Sequence, residues 1–336
     1  MKQTEYGQMV IYQSDAVEEI MTVVEEDLPE QFGIEVLRLL KETNPFEQEY
    51  YYAKSDKHYA FYTLYKSKMD ILTFGKINWY MKVSTIGYPC SLSRPGYVTD
   101  DLEFLLESIT HIKGAKLVLN VIEPVKASQG IVTQMGFGET LPTCMFNCRF
   151  SSLDEYLDSL RSSYRRRLRL AIKRCSEAGI VKVHDNQADI YKLYLNTYEK
   201  SNYKLECMEQ EFFEQVDAEK LVYQRDGKNI GFTLLRREGT HLDFMLCGMD
   251  YSEKTADLYY YMLLNIIEYA IQEHCETIDF GQTSEQTKLK LGAYLEKRYF
   301  YASHTNPLLN LVARYGKDVL AYKYDFPDYK VYRRGK

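Results

Sequence analysis

The sequence lacks the features that mark membrane, secreted and metal-binding proteins. No stretch approaches the roughly 18 uninterrupted apolar residues that a spanning helix requires. Residues 1–12 contain neither a basic start nor an apolar run, so no signal peptide is indicated. The cysteines include no CxxC pair, and the closest two, Cys144 and Cys148, have no partnering histidine. We therefore expect a cytoplasmic protein with reduced, buried thiols, no metal site and no membrane insertion.

Several catalytic signatures are missing as well. The sequence contains no Walker A loop, no HExxH motif and no Ser-His-Asp order. The formal net charge of −6 argues against general nucleic-acid binding, and we expect no contact with DNA. The hydrophobic share of 45% and the charged share of 27% are typical of a soluble globular protein.

What is present is a pattern of strands and helices that occurs twice. At 336 residues the chain is long enough for two domains with their own cores. Each half predicts three strands, a helix, a strand, a helix and a last strand, and MGFG (135–138) in the first half corresponds to LGAY (291–294) in the second. We predict an α/β fold with mixed sheets, in two similar domains at residues 1–150 and 151–336.

Three local patterns give more specific predictions for the first half. Residues 1–44 are predicted to be mostly helical, because apolar residues recur there at helical spacing. Residues 57–74 are predicted to form a hairpin around a Lys-Ser-Lys-Met turn. A helix is predicted to begin at Thr99, with aspartates in its first turn where they favour the helix dipole.

Residues 151–179 form the clearest predicted helix, and this helix joins the two halves. Ser152 is the expected N-cap of a capping box, and Gly179 is expected to end the helix. A narrow apolar stripe is flanked by seven cations with no intervening acid: Arg161, Arg165, Arg166, Arg167, Arg169, Lys173 and Arg174. These charges would repel one another unless an anion or an acidic surface is near. The helix is therefore either a solvated face paired with acids elsewhere or an anion-binding wall of a substrate cleft.

Residues 276–300 combine a short strand, a turn and a helical segment. Gly281 supplies the backbone freedom for a sharp exit from the strand, and Gln282 begins a polar stretch suited to a helix start. Lys288 follows one to two turns later, so its ammonium can reach back toward the end of the strand. Open α/β sheets usually bind ligands at the carboxyl ends of their strands.

This arrangement resembles the last third of the GNAT-like acyltransferases. Asp279-Phe280-Gly281, followed by Lys288 and by a glycine four residues later, is similar to the pattern in tandem-GNAT peptidoglycan biosynthesis/recognition proteins and Fem-type peptidyltransferases. The order of elements is similar over nearly the whole chain. The resemblance implies two tandem GNAT-like domains joined by the basic helix, the first one non-catalytic and the second one carrying the acyltransferase site.

The resemblance also implies roles for individual residues. Lys288 would serve the reaction centre, while Asp243 and His241 would position or deprotonate the acceptor. Asp279 would orient backbone amides, for which turn capping is the alternative. The residues implied in substrate binding are Arg165, Arg166, Arg169, Lys173, Lys200, Tyr203, Asp279, Gly281 and Gln282.

The resemblance leaves the donor open. GNAT enzymes that use coenzyme A carry a glycine-rich junction whose bare amides grip the pyrophosphate, whereas residues 247–261 contain one glycine, Gly248. Fem-type proteins also lack that motif and take aminoacyl groups from charged tRNA. The expected donor is either acyl-CoA or aminoacyl-tRNA, and tRNA would then contact the basic helix. The expected acceptor is an amine or hydroxyl of an anionic small molecule or cell-envelope precursor. The alternative is a non-catalytic recognition protein that retains the cleft.

Overall fold

The computed structural model of the protein describes residues 1–72, 78–90, 93–125, 130–202, 204, 206–253, 257–316 and 321–333. Its strands are β1 (Lys2–Tyr6), β2 (Met9–Ser14), β3 (Gln48–Lys54), β4 (Tyr59–Asp70), β5 (Tyr80–Ile86), β6 (Tyr97–Thr99), β7 (Ala115–Val121), β8 (Gly136–Glu139), β9 (Thr143–Asn147), β10 (Val181–His184), β11 (Glu219–Arg225), β12 (Lys228–Glu238), β13 (His241–Met249), β14 (Thr277–Asp279), β15 (Tyr294–Glu296) and β16 (Tyr299–His304). Its helices are α1 (Val17–Met21), α2 (Ile34–Thr43), α3 (Leu102–Ile109), α4 (Leu153–Ser159), α5 (Ser162–Glu177), α6 (Tyr191–Lys200), α7 (Gln210–Gln215), α8 (Leu258–Gln272), α9 (Glu285–Leu289) and α10 (Pro307–Tyr315).

The chain folds into two compact units, each with its own sheet and core. Unit 1 comprises Met1–Leu141, Leu205–Phe212 and Lys297–Tyr324, and unit 2 comprises Pro142–Lys204, Phe213–Glu296 and Asp325–Lys336. Each unit is therefore assembled from segments that are far apart in the sequence. The predicted α/β fold with mixed sheets is confirmed in both units.

The sheet of unit 1 has the order β1-β2-β3-β4-β5-β7-β16-β8, and β6 pairs with β4 beside this path. β5 and β7 are parallel, as a crossover through α3 requires, whereas β7 and β16 are antiparallel. The core lies where α3 packs on the sheet and contains Leu105, Ile109, Tyr62 and Tyr301.

The sheet of unit 2 has the order β10-β11-β12-β13-β14-β9-β15. β13 and β14 are parallel, because the apolar helix α8 connects them across one face of the sheet. Leu263, Ile266 and Ile267 of α8 pack in one core with Phe244 of β13 and Ile278 of β14. This packing fixes the ends of β13 and β14 relative to the start of α8.

One strand of each sheet comes from the opposite half of the sequence. β9 follows β8 in the chain but lies between β14 and β15 in the sheet of unit 2. β16 follows β15 in the chain but lies between β7 and β8 in the sheet of unit 1. Phe300 and Tyr301 of β16 are buried, so this strand contributes core residues as well as backbone hydrogen bonds.

The first 44 residues differ from the helical prediction. They begin with the antiparallel hairpin β1–β2, and only α1 and α2 follow as α-helices within this segment. Met9 and Ile11 of β2 are buried while Val10 between them is half-buried, which is the period of a strand rather than that of a helix. The apolar stripes that predicted helices do coincide with α1 and α2, and the prediction is wrong in extending to residues 1–14.

The predicted hairpin over residues 57–74 is wrong in its first part, and its last two residues lie outside the described residues. β4 runs through the Lys-Ser-Lys-Met segment and pairs there with β5. Lys66 and Lys68 are exposed and Ser67 between them is buried, so the segment alternates as a strand instead of turning. Thr99 likewise closes β6, and α3 begins only at Leu102.

The predicted helix over residues 151–179 is two helices, α4 and α5, with a break at Leu160. Leu160 has extended backbone, is buried, and forms an isolated bridge with Tyr332. The N–H of Arg161 donates to the carbonyl of Val331 at 2.9 Å. Pairing with the C-terminal segment thus replaces the helical hydrogen bonds at this point.

The capping predictions for this region are confirmed. The Ser152 hydroxyl accepts a hydrogen bond from the Glu155 N–H at 3.1 Å, and Gly179 has a positive φ of 68° just beyond α5. All seven cysteines lie in the described residues and are free; five of them are buried, as predicted, and Cys207 and Cys247 are half-buried.

Candidate active site

A gap opens in the sheet of unit 2 beyond the end of β14. β13 and β14 pair over three residues, from His241 with Thr277 to Asp243 with Asp279. β14 ends there, whereas β13 continues to Met249 after an irregularity in its pairing with β12 around Met245. On the other side of β14, β9 continues past the end of β14 to pair with β15. Beyond Asp279, the chain no longer pairs with β13, although Phe280 and Gly281 still form backbone hydrogen bonds with Cys144 of β9, so the sheet opens on the β13 side.

The loop that leaves β14 has strained backbone. Gly281, Thr283 and Ser284 have φ values of 72°, 62° and 52°, in the left-handed region. Glycine adopts this region readily, but it is costly for threonine, which is branched at Cβ. The prediction that Gly281 gives the strand a sharp exit is confirmed. Such strain persists only where surrounding contacts hold the loop.

Lys288 holds this loop from inside. Its side chain is buried, and its Nζ donates to the carbonyl oxygens of Gly281 at 3.0 Å and of Gln282 at 2.8 Å. The Gly281 carbonyl also accepts from the N–H of Cys144 on β9 at 3.1 Å. An ammonium has three N–H donors, so these two bonds leave one donor of Lys288 for a further group.

The ammonium is placed at the end of β14 between β13 and β9. It lies within electrostatic range of Cys144 on β9 and Cys247 on β13, and of Asp279 and Glu285. Burial lowers the pKa of Lys288 below its ordinary 10.5, and these four neighbours oppose that effect. Burial raises the pKa of Cys144 to about 12 and that of Cys247 to about 11, so both thiols stay neutral near pH 7.

Asp279 fastens the start of the same loop. Its Oδ1 accepts from the N–H of Gly281 at 2.7 Å and from the hydroxyl of Thr143. The predicted turn-capping alternative thus describes the contact that Asp279 makes with Gly281. Gln282 contributes its backbone carbonyl to Lys288, as described above.

His241 and Asp243 form a pair on β13, where they lie opposite Thr277 and Asp279 of β14. The Nε2 of His241 lies 3.3 Å from Oδ1 of Asp243, and its Nδ1 lies 2.7 Å from the Thr277 hydroxyl. Asp243 is buried, while the imidazole of His241 keeps about 29% of its surface exposed. Because Asp243 and Asp279 are register partners on parallel strands, the structure brings Asp243 beside the start of the Lys288 loop.

Glu285 is the candidate that the sequence analysis missed. It is the first residue of α9, one helical turn before Lys288, and it is buried. Its Oε1 has no hydrogen-bond partner among the described residues. A buried carboxylate oxygen without a partner is costly, which marks Glu285 as a functional candidate. The sequence signal was an acid three residues before the lysine, on the same helical face.

The predicted basic residues of α5 are mostly paired at the surface. Arg165 and Arg169 contact the carboxylate of Asp158 at 3.8 and 3.0 Å, and Lys173 contacts Glu177 at 3.6 Å. Exposed pairs of this kind contribute about 0–1 kcal/mol each. Arg166 is exposed and has no ion-pair or side-chain hydrogen-bond partner within the described part of the chain. The alternative of a solvated face paired with acids thus describes Arg165, Arg169 and Lys173.

A different pair of arginines surrounds a buried carboxylate at the start of α8. Asp257 precedes the first residue of this helix, and Arg167 and Arg174 of α5 donate to its Oδ1 and Oδ2 at 2.5 and 3.0 Å. Burial alone would raise the pKa of Asp257, but the two arginine bonds outweigh it and the pKa is lowered. The guanidinium of Arg167 lies 4.4 Å from the ring centre of Tyr260.

The described residues at this helix start do not form the glycine-rich loop that would expose amides to the pyrophosphate of coenzyme A. A side chain at Gly248 would bring its Cβ within 2.4 Å of the Leu193 backbone, so this glycine is needed for packing against α6. Asp257 makes no side-chain hydrogen bond to the amides of α8, because Arg167 and Arg174 hold its carboxylate. Residues 254–256 of the same junction lie outside the described residues.

Of the predicted substrate-binding residues Lys200 and Tyr203, only Lys200 belongs to the described part of the chain. Lys200 ends α6, and its Nζ lies 3.6 Å from the ring centre of Tyr251. Tyr203 lies outside the described residues. The structure therefore brings together Lys288, Asp243, His241, Asp279, Gly281 and Gln282 around the end of β14, and the described contacts do not connect Lys200 or the α5 cations to them.

Two absences concern the described part of the chain. No helix there is long and apolar enough to cross a membrane. No group of His, Cys, Asp or Glu side chains there is arranged to hold a metal ion.

Known proteins are similar to this chain in two ways: a family model matches part of its sequence, and solved structures match its fold over nearly the whole chain. Residues 162–290 match the family model described as acetyltransferase (GNAT) domain. A search of curated proteins finds no significant match. The fold is similar to that of FemX, with a TM-score of 0.51 and 15% identity over 94% of this chain and 100% of that one. It is also similar to the C-terminal domain (DUF2156) of a protein assigned as a lysylphosphatidylglycerol synthetase from Agrobacterium fabrum, with a TM-score of 0.53 and 12% identity over 89% and 96%.

Proposed function

Because residues 162–290 match the family model described as acetyltransferase (GNAT) domain, we propose that the protein is an acyltransferase whose reaction centre lies beside Lys288. The single observation that supports this placement is the buried ammonium at the open end of β14, with one N–H donor left after binding the loop. The reaction moves an acyl or aminoacyl group to an amine or hydroxyl of an anionic small molecule or cell-envelope precursor.

The proposed chemistry needs a cationic hydrogen-bond donor that stabilises the developing oxyanion, and a base that takes a proton from the acceptor. The acceptor amine attacks the carbonyl carbon of the donor, and negative charge develops on the carbonyl oxygen. The remaining N–H of Lys288 stabilises that oxygen in a water-poor site, where a single donor has a larger effect than in water. The amine must lose a proton as the new bond forms, and the bond to the leaving oxygen or sulfur then breaks.

We assign the proton acceptor to Glu285 rather than to Asp243 or His241. Glu285 has a buried carboxylate oxygen without a partner in the described chain, within electrostatic range of Lys288. His241 and Asp243 instead contact each other and Thr277, which suits a positioning role for this pair. A general base must reach the proton that it removes, directly or through one water, and the Glu285 variant described next tests whether this carboxylate does so.

Glu285→Gln is expected to lower kcat by about 10²–10⁴-fold, because the amide keeps the shape of the side chain but accepts no proton. The melting temperature should change little, because glutamine has nearly the same volume and keeps an acceptor oxygen at this position. Steady-state kinetics and a thermal melt measure both quantities, and Glu276→Gln, at an exposed position just before β14, is the matched control. An unchanged kcat would remove Glu285 from the mechanism.

The pH dependence of kcat should show a falling alkaline limb below pH 10.5. A lysine is charged below its pKa, and burial lowers the pKa of Lys288 from 10.5. The charge that stabilises the oxyanion is therefore lost at a lower pH than for an exposed lysine. A rate profile between pH 7 and 10.5 tests this, and the residual activity of Lys288→Met should lack the limb. A wild-type rate that rises through this range would indicate a neutral amine acting as base.

The identity of the donor is tested by a ligand screen. The lack of a glycine-rich loop at the described start of α8 favours an aminoacyl ester donor over acyl-CoA. A thermal-shift and transfer assay with acyl-CoAs and aminoacyl-tRNA, each with nucleotide-sugar acceptors, distinguishes the two. Transfer from acyl-CoA would overturn the donor preference but keep the reaction class. Binding of acceptor without transfer from any donor would support the recognition-only alternative.

A further inference from the structure

A cavity of about 370 Å³ lies in unit 2 between α5, the first turn of α8 and the end of α9. The lining residues are Ser163, Tyr164, Arg167, Leu168, Tyr260 and Lys290. They include a guanidinium, an ammonium and three hydroxyls, but no carboxylate. The volume lies within the range of roughly 300–1,000 Å³ that small-molecule sites occupy.

Arg167 is a lining residue of this cavity whose side chain is held in a fixed position by its neighbours. Its Nη2 donates to the buried carboxylate of Asp257, and Tyr260 covers its plane, so the guanidinium is fixed in place. Its Nη1 is buried and has no hydrogen-bond partner among the described residues. A buried guanidinium N–H without an acceptor is unfavourable, and a ligand oxygen in the cavity would satisfy it.

The local charge is positive. Arg167 and Arg174 share the single carboxylate of Asp257, and Lys290 adds a third cation, whose Nζ lies 5.4 Å from the ring centre of Tyr329. Arg165, Arg169 and Lys173 each contact an acid at the surface, whereas at the cavity three cations share one described carboxylate. An anion with several oxygens would use the guanidinium, the ammonium and the hydroxyls together.

We propose that this cavity binds the phosphate group of a phosphorylated small-molecule substrate, through Arg167 and Lys290. A phosphate offers more acceptor oxygens than a carboxylate and so matches the number of donors better. The assignment of the ligand to an acyl-transfer substrate rests on the proposed function, but the anion binding itself does not. Of the seven cations of the predicted anion-binding helix, the proposed site uses Arg167 and not Arg165, Arg166, Arg169 or Lys173.

The test is equilibrium binding of inorganic pyrophosphate to the full chain by calorimetry, at fixed pH and ionic strength, with acetate as the comparison anion. We expect pyrophosphate to bind and acetate to bind at least tenfold more weakly. Lys290→Met and Arg167→Met should each weaken pyrophosphate binding at least tenfold. Arg237→Met, at an exposed position of β12 that pairs with Glu273, should leave binding unchanged.

The variants separate folding, binding and catalysis. Lys290 makes no ion pair in the described chain, so Lys290→Met tests the site even if Arg167→Met destabilises α5. Lys288→Met should bind pyrophosphate normally while losing acyl transfer, so failure of the reaction centre and failure of the anion site give different results. Absence of pyrophosphate binding, or equal weakening by Arg237→Met, would overturn the proposal. Binding of tRNA but not pyrophosphate, lost in Arg167→Met, would overturn it in favour of RNA.

Discussion

Lys288→Met is expected to lower kcat by about 10²–10³-fold, the effect of removing one donor to a developing oxyanion. Methionine has nearly the same length and is apolar, so it fills the same buried space without the charge. The Gly281 carbonyl keeps its bond from the Cys144 N–H, and the loop therefore retains part of its support. KM for the acceptor should change little, because the lost interaction forms mainly in the transition state.

The measurement is steady-state transfer with the donor found in the ligand screen, accompanied by a thermal melt. Lys182→Met, at the edge strand β10 and paired with Glu268, is the matched control and should retain wild-type activity. Lys288→Arg adds a second check, since it keeps a cation but needs more space and places its donors differently. Full activity of Lys288→Met in a folded protein would remove the proposed reaction centre.

A fragment that ends at residue 150 is expected not to fold cooperatively. It contains β7 and β8 but not β16, which lies between them and supplies the buried residues Phe300 and Tyr301. Without β16, two strand edges are unpaired and the core is open on one side. Circular dichroism and a denaturant titration of residues 1–150 test this. A single cooperative transition with a native-like spectrum would contradict it.

Proline substitutions in the full chain give the same test without truncation. Ala302 of β16 is paired with Leu117 on one side and with Gly136 on the other. Ala302→Pro removes a ladder hydrogen bond from an interior strand and should lower the free energy of unfolding by about 1–3 kcal/mol, the cost of a buried acceptor left unsatisfied. Thr4→Pro in the edge strand β1 is the control and should cost less, because only one side of that strand is paired.

Much of the fold could be predicted from the sequence because the two halves repeat one order of elements. The apolar run of α8, the strand ending at Asp279 and the glycine turn at Gly281 each carry a local signal that the structure confirms. The errors have a common cause. Strand β2, the Lys-Ser-Lys-Met segment and Leu160 pair with segments outside their own neighbourhood in the sequence, and periodicity within a short window does not contain those partners.

The candidate site was predictable only in part. Lys288, Asp279 and Gly281 stand close together in the sequence, so a motif can carry them. Asp257 and Arg167 are separated by many residues, and nothing in a one-dimensional pattern distinguishes Arg167 from the surface arginines beside it. What distinguishes Arg167 is burial of one nitrogen and contact with Tyr260, which are properties of the packed structure.

Strand β16, which lies between β7 and β8 although it is made much later, also determines when the protein can finish folding during its synthesis. Ribosomes add about 5–20 residues each second, so several seconds or more separate the emergence of β7 from that of β16. Throughout that interval the nascent amino-terminal sheet presents the unpaired borders of β7 and β8 to its surroundings. Chaperone dependence in the cell and sensitivity to premature termination follow from this order of events.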